Sequence, residues 1–180
     1  MLKKSFLGVA FLVSVISFGQ AYTHTEAGSK VKFTIKNFGI NTSGTFEGLS
    51  GSITFDAASL ATASFTVSVD AKTVDTDMES RDNHLRKAEY FDVEKYPRIS
   101  FRSTKITTTN KPEYLYMTGI ITIKNVSKEI SFPFSHTAKD DGILFAGEFK
   151  INRREFGVGG QSFSMSDELT VNLSVFAKKN

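Results

Sequence analysis

Arg81 and His84 stand among several carboxylates in the segment TDMESRDNHLRKAEYFDVEKYPRISFRST, residues 76–104. These residue types could serve an acid–base reaction or bind an anionic group. Three roles are therefore open to Arg81. A structural arginine would bind nearby carbonyls or a carboxylate, and a binding arginine would meet the polar end of a ligand. A catalytic arginine would need a nucleophile and a base beside it in one pocket.

The sequence period changes in this segment, and the change predicts a helix over about residues 77–89. Thr76 followed by Glu79 fits a capping box, in which each side chain binds the exposed backbone N–H of the other residue. Asp82 and Arg86 have the spacing of an i,i+4 ion pair on the wetter flank. The helix is therefore expected to be capped at its start and charged on its outer side.

The apolar stripe of this helix is narrow and consists of Met78, Leu85 and Ala88, with Arg81 between them on a 3.6-residue period. Such a stripe is too narrow for a bundle helix but suits a helix that covers one end of a barrel. We predict that the helix catalyses nothing. Four residues are predicted to border the mouth of the barrel: Met78, Arg81, His84 and Leu85.

The histidines give no sign of a metal site. His24, His84 and His136 lie on three different predicted segments, without the spacing that zinc or iron ligands show. The serines form no G-x-S-x-G motif. We expect no metal, no cofactor and no catalytic residue.

Two neighbouring motifs have structural interpretations. FGVGG at residues 156–160 follows a strand but opens no amphipathic helix, so it predicts a glycine turn rather than a dinucleotide site. Arg153 and Arg154 are expected to pair with nearby carboxylates such as Glu155.

The length and composition define the broad class of protein. A chain of 180 residues is enough for one domain with a core or a ligand cavity. It contains no cysteine, which excludes a disulfide scaffold, a thiol enzyme and a lipoprotein anchored through an N-terminal cysteine. Residues 1–21 resemble a secretory signal peptide, with a Lys3–Lys4 start, an apolar run and small residues, and cleavage is expected after about residue 19 to 21. A periplasmic or secreted protein is therefore expected, with residues 22–180 as its domain.

The charge of the chain predicts few macromolecular partners. The 22 basic residues exceed the 19 acidic ones by three, and without Lys3 and Lys4 the excess is one. No long basic run is visible, so nucleic acid is not an expected partner. The apolar run is shorter than the about 20 residues of a membrane span, so stable membrane insertion is not expected. The oligomeric state, a homodimer included, is left open.

Most of the chain alternates apolar and polar residues, as in SKVKFTIKN and SFTVSVDAK. Strict alternation is typical of antiparallel strands with one dry and one wet face. Eight strands are predicted, over residues 29–38, 43–56, 62–74, 97–108, 113–124, 128–138, 142–155 and 167–178. Short connections favour an up-and-down order. Such strands must close into a barrel or stack as a sandwich. We predict an all-β, eight-stranded antiparallel barrel, because closure removes the sheet edges.

The inward set of these strands is rich in aromatic residues, since the chain has 17 Phe and no Trp. A barrel of eight strands can be filled by its own side chains or can hold one small ligand, and the alternation leaves both open. If the lumen is a tunnel, the predicted lining is Phe33, Ile35, Phe55, Phe65, Val67, Phe101, Leu115, Met117, Ile121, Phe132, Phe134, Phe145, Phe149, Val171 and Leu173.

Four ordered motifs resemble the YceI-like lipid/polyisoprenoid-binding family. They are SVDAKTVDTDMESRDNHLRKAEYFDVEKYPRISFRST, MTGIITIKNVSKEISFPF, FKINRREFGVG and DELTVNLSVFAKK. The resemblance extends over nearly all of the chain after the leader. The resemblance implies a lipocalin-like barrel that is exported and holds a long-chain apolar small molecule in its lumen. The implied ligands are a polyisoprenoid, an isoprenoid quinone, or a fatty acid or amide.

The leading hypothesis is thus a non-enzymatic lipid-binding protein that sequesters or transports its ligand in the cell envelope. Two other classes stay open. One is an envelope enzyme that acts on a lipid through Arg81 and His84, and the other is a structural or stress protein with a solid core.

Overall fold

The computed structural model of the protein describes residues 20–180, which fold into one sheet whose first and last strands pair with each other. The nine strands of this region are β1 Gln20–Asn37, β2 Ile40–Phe46, β3 Ser50–Phe55, β4 Ser64–Asp70, β5 Arg98–Thr108, β6 Tyr114–Ile123, β7 Val126–Lys139, β8 Gly142–Asn152 and β9 Met165–Lys179. Its α-helix is α1, Glu79–Leu85, and short 3-10 turns occur at Leu60–Thr62, Ala71–Thr73 and Arg153–Phe156.

The sheet is a closed eight-stranded antiparallel barrel, as predicted, because β2 and β3 together occupy one strand position. β2 pairs with the second half of β1 and β3 pairs with its first three residues. The single strand predicted over residues 43–56 is therefore wrong in detail. Gly48 interrupts it with a φ of 67°, and its carbonyl accepts a hydrogen bond of 2.7 Å from Arg98.

β1 begins at Gln20, well before the predicted start at residue 29. A register shift against β9 between Thr25 and Lys30 forms a bulge in this strand. The alternation therefore breaks, which hid the first half of β1 from a search for period two. The predicted signal peptide lies outside the described residues except for Gln20 and Ala21, which open β1.

The barrel has two different ends. We call the end with the Phe38–Gly39 turn and α1 the upper end, and the end where β1 begins and β3 finishes the lower end. At the lower end Phe55, Phe65 and Phe145 pack edge to face, with ring centroids 5.0–6.2 Å apart. All three side chains are buried, so the lower end is closed by aromatic packing.

The helix at the upper end is shorter than predicted and begins differently. Its N-cap is Met78, whose side chain makes no capping hydrogen bond, so the predicted Thr76–Glu79 capping box is wrong. Asp77, with a φ of 60°, turns the chain between Thr76 and the helix. The apolar stripe also fails, because Met78 is 51% exposed and Ala88 lies outside the helix on the surface.

No helix within residues 20–180 has the length and apolar character needed to cross a membrane.

Candidate functional site

An apolar cavity of about 230 Å³ lies inside the barrel. On β9 alone its lining extends from Met165 to Val175, which is about 30 Å of strand at 3.3 Å per residue. The cavity is therefore elongated along the strands. Its lowest lining residues, Ile53, Phe65 and Phe145, are buried. Thr42, Arg81 and Leu85 at the upper end are half-buried, so the cavity approaches the surface there.

Most of the residues predicted for the lumen border this cavity. They are Phe33, Ile35, Phe65, Val67, Phe101, Met117, Ile121, Phe132, Phe134, Phe145, Phe149, Val171 and Leu173. Phe55 and Leu115, which were also predicted, do not border it. Both are buried in the core instead, because their inward direction places them beyond the cavity, at the closed lower end. Whether the lining residues bind a ligand stays a prediction.

Phenylalanine rings shape the middle of the cavity. Phe132 packs against Phe149 at 4.8 Å and against Phe101 at 6.0 Å between ring centroids. Inward-facing glycines make room for such rings: a Cβ added at Gly44 would overlap the ring of Phe33. The cavity wall therefore combines large rings with positions that lack a side chain.

A hydrogen-bonded chain of three side chains holds Arg81 at the upper end. The Arg81 Nε–H donates to Thr76 Oγ1 at 2.7 Å, and the Thr76 hydroxyl donates to Asp82 Oδ1 at 2.5 Å. The Thr76 backbone N–H also donates to Asp82 Oδ1 at 2.9 Å, and Arg81 Nη2 donates to the Thr76 carbonyl. Thr76 and Asp82 are buried, so this arrangement fixes where the guanidinium lies. The predicted ion pair between Asp82 and Arg86 does not form.

Arg81 keeps hydrogen-bonding capacity toward the cavity, which it borders. A guanidinium has five N–H groups, and only those on Nε and Nη2 are engaged by residues 20–180. Within that region no carboxylate lies within ion-pairing distance of Arg81. Its charge and its Nη1 donors can therefore serve an acceptor at the end of the cavity.

Asn37 is a cavity residue that the sequence analysis missed. It borders the cavity, and its Oδ1 is buried with no hydrogen-bond partner within residues 20–180. The alternation of β1 could have predicted this position, since Asn37 falls on the same face of the strand as Phe33 and Ile35. A buried acceptor without a partner costs free energy, and a donor from a ligand would remove that cost.

Arg153 also borders the cavity, whereas the sequence analysis gave it only a structural ion pair, and it binds the loop that follows β8. Its side chain is almost fully buried and donates to the carbonyls of Val158, Gly160 and Ser166, and to Asp167, each at 2.9 Å. Arg153 and Arg154 both pair with a carboxylate, as expected, but that carboxylate belongs to Asp167. The expected partner Glu155 lies 3.7 Å from Lys128 instead. Arg153 thus holds the loop over the upper end of the barrel.

Two of the predicted mouth residues do not border the cavity. Met78 points into solvent, and His84 is exposed with its ring 4.9 Å from that of Tyr90. Leu85 does border the cavity, as Arg81 does. His84 therefore does not border the cavity that Arg81 borders.

No group of three or more His, Cys, Asp or Glu side chains in the described part of the chain could hold a metal ion. His24 and His136 lie toward the lower end. His136 has its ring 5.1 Å from that of Phe55, and burial lowers its pKa below the ordinary value of 6.5.

A closed antiparallel barrel with an apolar cavity, and with Arg81 and Asn37 at one end of it, defines a lipocalin-like barrel class. The chain matches the YceI-like domain over residues 22–177 and belongs to that family. Similar relatives include Protein YceI of Escherichia coli O157:H7, which is 29% identical over 187 residues and 97% of each chain. Protein YceI of Salmonella agona is 28% identical with the same coverage of both chains.

Solved structures share the fold. BcnA of Burkholderia cenocepacia has a TM-score of 0.81 at 24% identity, over 86% of this chain and 99% of its own. The Campylobacter jejuni YceI protein has a TM-score of 0.71 at 25% identity, over 99% of both chains. A polyisoprenoid binding domain of Saccharophagus degradans, implicated in plant cell wall breakdown, has a TM-score of 0.71 at 12% identity, over 90% of this chain and 99% of its own.

Proposed function

We propose that this protein is a non-enzymatic carrier that holds the chain of an isoprenoid lipid in the barrel cavity. The observation that carries the proposal is the elongated apolar cavity, which has Arg81 and Asn37 at its upper end. Family membership supports it, and a neighbour of the same fold is a polyisoprenoid binding domain. The cavity also argues against the solid core that the structural-protein hypothesis requires.

The apolar wall supplies enough free energy to hold such a chain. Burial is worth about 0.8 kcal/mol per CH₂, so one five-carbon isoprene unit gains on the order of 3–4 kcal/mol. A few units would offset the cost of ordering the ligand without a specific hydrogen bond. The cavity should therefore select its ligand by length and apolarity.

Arg81 and Asn37 would recognise the polar end of the ligand. Arg81 offers N–H donors without an ion-paired carboxylate, and Asn37 offers a buried acceptor without a partner. A quinone carbonyl or an amide carbonyl could accept from Arg81, and a hydroxyl or amide N–H could donate to Asn37. The ligand would therefore enter with its chain toward the Phe-packed lower end and its polar end at α1.

We also propose export to the periplasm or the medium, with the leader removed after about residue 19 to 21. The supporting feature is the Lys3–Lys4 start before the apolar run. N-terminal sequencing of protein from the envelope fraction checks this, and a chain that still begins at Met1 contradicts it. No cofactor is needed for this function.

The test of binding is native mass spectrometry of the purified protein together with its unfolding midpoint. Val67→Trp and Val171→Trp place an indole in the cavity wall and should abolish the mass of retained lipid with a small change in midpoint. Thr66→Trp is the matched control, because Thr66 is the exposed neighbour of Val67 on β4. It should retain lipid like the wild type.

Two outcomes would contradict the proposal. A wild-type protein without lipid, combined with a collapsed midpoint in both tryptophan variants, would show a barrel filled by its own side chains. Release of a chemically altered lipid on incubation with added isoprenoid would indicate the enzyme instead.

A further inference from the structure

Three large apolar side chains project into solvent at the upper end of the barrel. Phe38 is 81% exposed, Ile40 is 71% exposed, and Phe163 is fully exposed. Phe38 lies in the β1–β2 turn, Ile40 is the first residue of β2, and Phe163 belongs to the loop between β8 and β9. We call these three residues the apolar tip. Single exposed apolar residues are common, but three on adjoining loops form a patch of the kind that marks an interaction site.

The backbone conformation at Phe38 disfavours a bulky apolar side chain. Phe38 and Gly39 are the central residues of a two-residue hairpin loop, with φ of 50° and 75°. Such turns favour Asn–Gly, because asparagine tolerates a positive φ better than a bulky side chain does. The β6–β7 hairpin has the same positive φ at both positions and uses Lys124 and Asn125. Phe38 therefore occupies a position where both the backbone and the solvent favour a polar residue.

A backbone hydrogen bond joins the two loops of the apolar tip. The Phe38 N–H donates to the Ser164 carbonyl at 2.7 Å. The Ser162 hydroxyl accepts from the backbone N–H groups of Ser164 at 3.2 Å and of Met165 at 3.1 Å. This local turn directs Phe163 outward. The apolar tip is thus a connected structure rather than two unrelated loops.

The apolar tip is continuous with the opening of the cavity. Asn37, Thr42 and Met165 border the cavity, and each lies one or two residues along the chain from Phe38, Ile40 or Phe163. An apolar ligand that enters at the upper end would therefore pass beside these side chains.

The charge around the apolar tip is asymmetric. Lys30, Lys32 and Lys36 alternate along the outer face of β1 below it, and none has an ion pair within residues 20–180. Their cross-strand neighbours on this face are uncharged, namely Ser174, Asn172, Thr45 and Asn41. Asp75, Asp77 and Glu79 are exposed just before and at the start of α1, and Asp75 pairs with Thr45 on the far edge of β2. The three lysines therefore give the β1 side of the apolar tip a positive charge that an anionic surface would attract.

We propose that the apolar tip inserts into an anionic lipid bilayer, so that the cavity opening meets the membrane surface. Phe38, Ile40 and Phe163 would lie at the level of the headgroups and the upper acyl chains, with Lys36 beside the headgroups and the acidic start of α1 in water. The binding surface stands on its own observations. Its use for ligand transfer rests on the function proposed above.

The test is co-sedimentation of the purified protein with vesicles of phosphatidylethanolamine and phosphatidylglycerol, compared with phosphatidylcholine alone. The wild type should bind the anionic vesicles more strongly, and the difference should shrink as salt is raised. Phe38→Asn and Phe163→Ser should each weaken binding about tenfold or more. Lys36→Glu should weaken binding to the anionic vesicles only. Mass spectrometry should show the same N-terminus in every preparation, so that differences in vesicle binding come from the substitutions alone.

Two controls keep the result interpretable. Phe38→Asn places the residue type favoured in this turn, so its unfolding midpoint should equal or exceed that of the wild type while vesicle binding falls. Tyr116→Ser removes an exposed aromatic side chain near the lower end and should leave vesicle binding unchanged. Equal vesicle binding by the wild type and a Phe38→Asn/Phe163→Ser double variant would overturn the proposal.

A second copy of the chain could cover the apolar tip instead. In that case sedimentation velocity would show a dimer that Phe163→Ser converts to a monomer, without vesicle binding, and the membrane proposal would fail. Vesicle binding can also be tested separately from the retention of a lipid in the cavity. Val67→Trp should lose retained lipid and keep vesicle binding, whereas vesicle binding by a wild type that carries no lipid would contradict only the carrier function.

Discussion

The two ends of the barrel are built from different chemistry. The lower end is closed by the edge-to-face rings of Phe55, Phe65 and Phe145, all buried. The upper end is organised by hydrogen bonds from Arg81 through Thr76 to the buried Asp82. The difference teaches that this fold places apolar packing and hydrogen-bonding capacity at opposite ends of the barrel. Buried rings pack at one end, while the directional polar contacts at the other end leave N–H donors of Arg81 without a partner within residues 20–180.

The largest effect should come from truncating the lower end. Phe55→Ala removes a fully buried ring that touches two other rings and His136, and should cost about 3–5 kcal/mol of unfolding free energy. Because Phe55 does not border the cavity, the ligand mass retained by the folded fraction should be unchanged. Urea unfolding and native mass spectrometry check the two parts. A cost below about 1 kcal/mol would contradict the division between the ends.

Next in size is the loss of the carboxylate at the upper end. Asp82→Ala leaves the buried N–H and hydroxyl of Thr76 without their acceptor, and should cost about 1–3 kcal/mol. Asp82→Asn keeps an oxygen in place and should cost less. Urea unfolding of both variants measures the difference. Equal costs would mean that the charge matters more than the hydrogen bonds.

A smaller effect is expected for Arg81 and should appear in binding rather than in folding. Arg81→Ala should weaken a lipid with a carbonyl or other acceptor at its end about tenfold, since a hydrogen bond to a charged group is worth about 1.5–3 kcal/mol. A plain hydrocarbon of the same length should lose little. Fluorescence titration with the two ligands measures this. Equal losses for both would assign Arg81 a structural role.

The smallest effect concerns pH at the lower end. Burial lowers the folded-state pKa of His136, so the unfolded chain binds the proton more tightly than the folded one does. The stability that neutral His136 contributes to the folded state is fully present above the unfolded pKa of 6.5. It is lost as the pH falls from there through the folded-state pKa. The unfolding midpoint should therefore drop more on acidification in the wild type than in His136→Gln. Identical pH profiles would contradict this.

Much of the lumen could be predicted because β-strand alternation is a local property. Val67, Phe101 and Phe149 share their parity with neighbours on paired strands, and closure of the sheet points all of them inward. The same rule could have found Asn37, had parity been extended to polar residues. It could not separate Phe55 from Phe65, since both point inward and only depth along the barrel distinguishes them.

The upper end was predicted less well, because its contacts are not periodic. The helix begins after a left-handed Asp77, and that turn places Thr76 below Asp82 instead of at the N-cap. A capping-box pattern in the sequence matches Thr76 and Glu79 but does not reveal which acceptor the hydroxyl will reach. Arg153 likewise donates hydrogen bonds to four groups in the loop and β9. The sequence indicates only that carboxylates lie near Arg153 and does not reveal the three carbonyl acceptors.

The sequence by itself determined a cysteine-free antiparallel barrel of eight strand positions with an aromatic interior, because apolar and polar residues alternate along each strand. Only the tertiary structure decided that the interior contains a cavity, because free volume depends on how rings and glycines from different strands meet, as Phe33 and Gly44 do. The tertiary structure also brought Phe38 and Phe163 to one apolar tip. Their positions lie 125 residues apart in sequence, and they meet because β9 pairs with β1 to close the barrel.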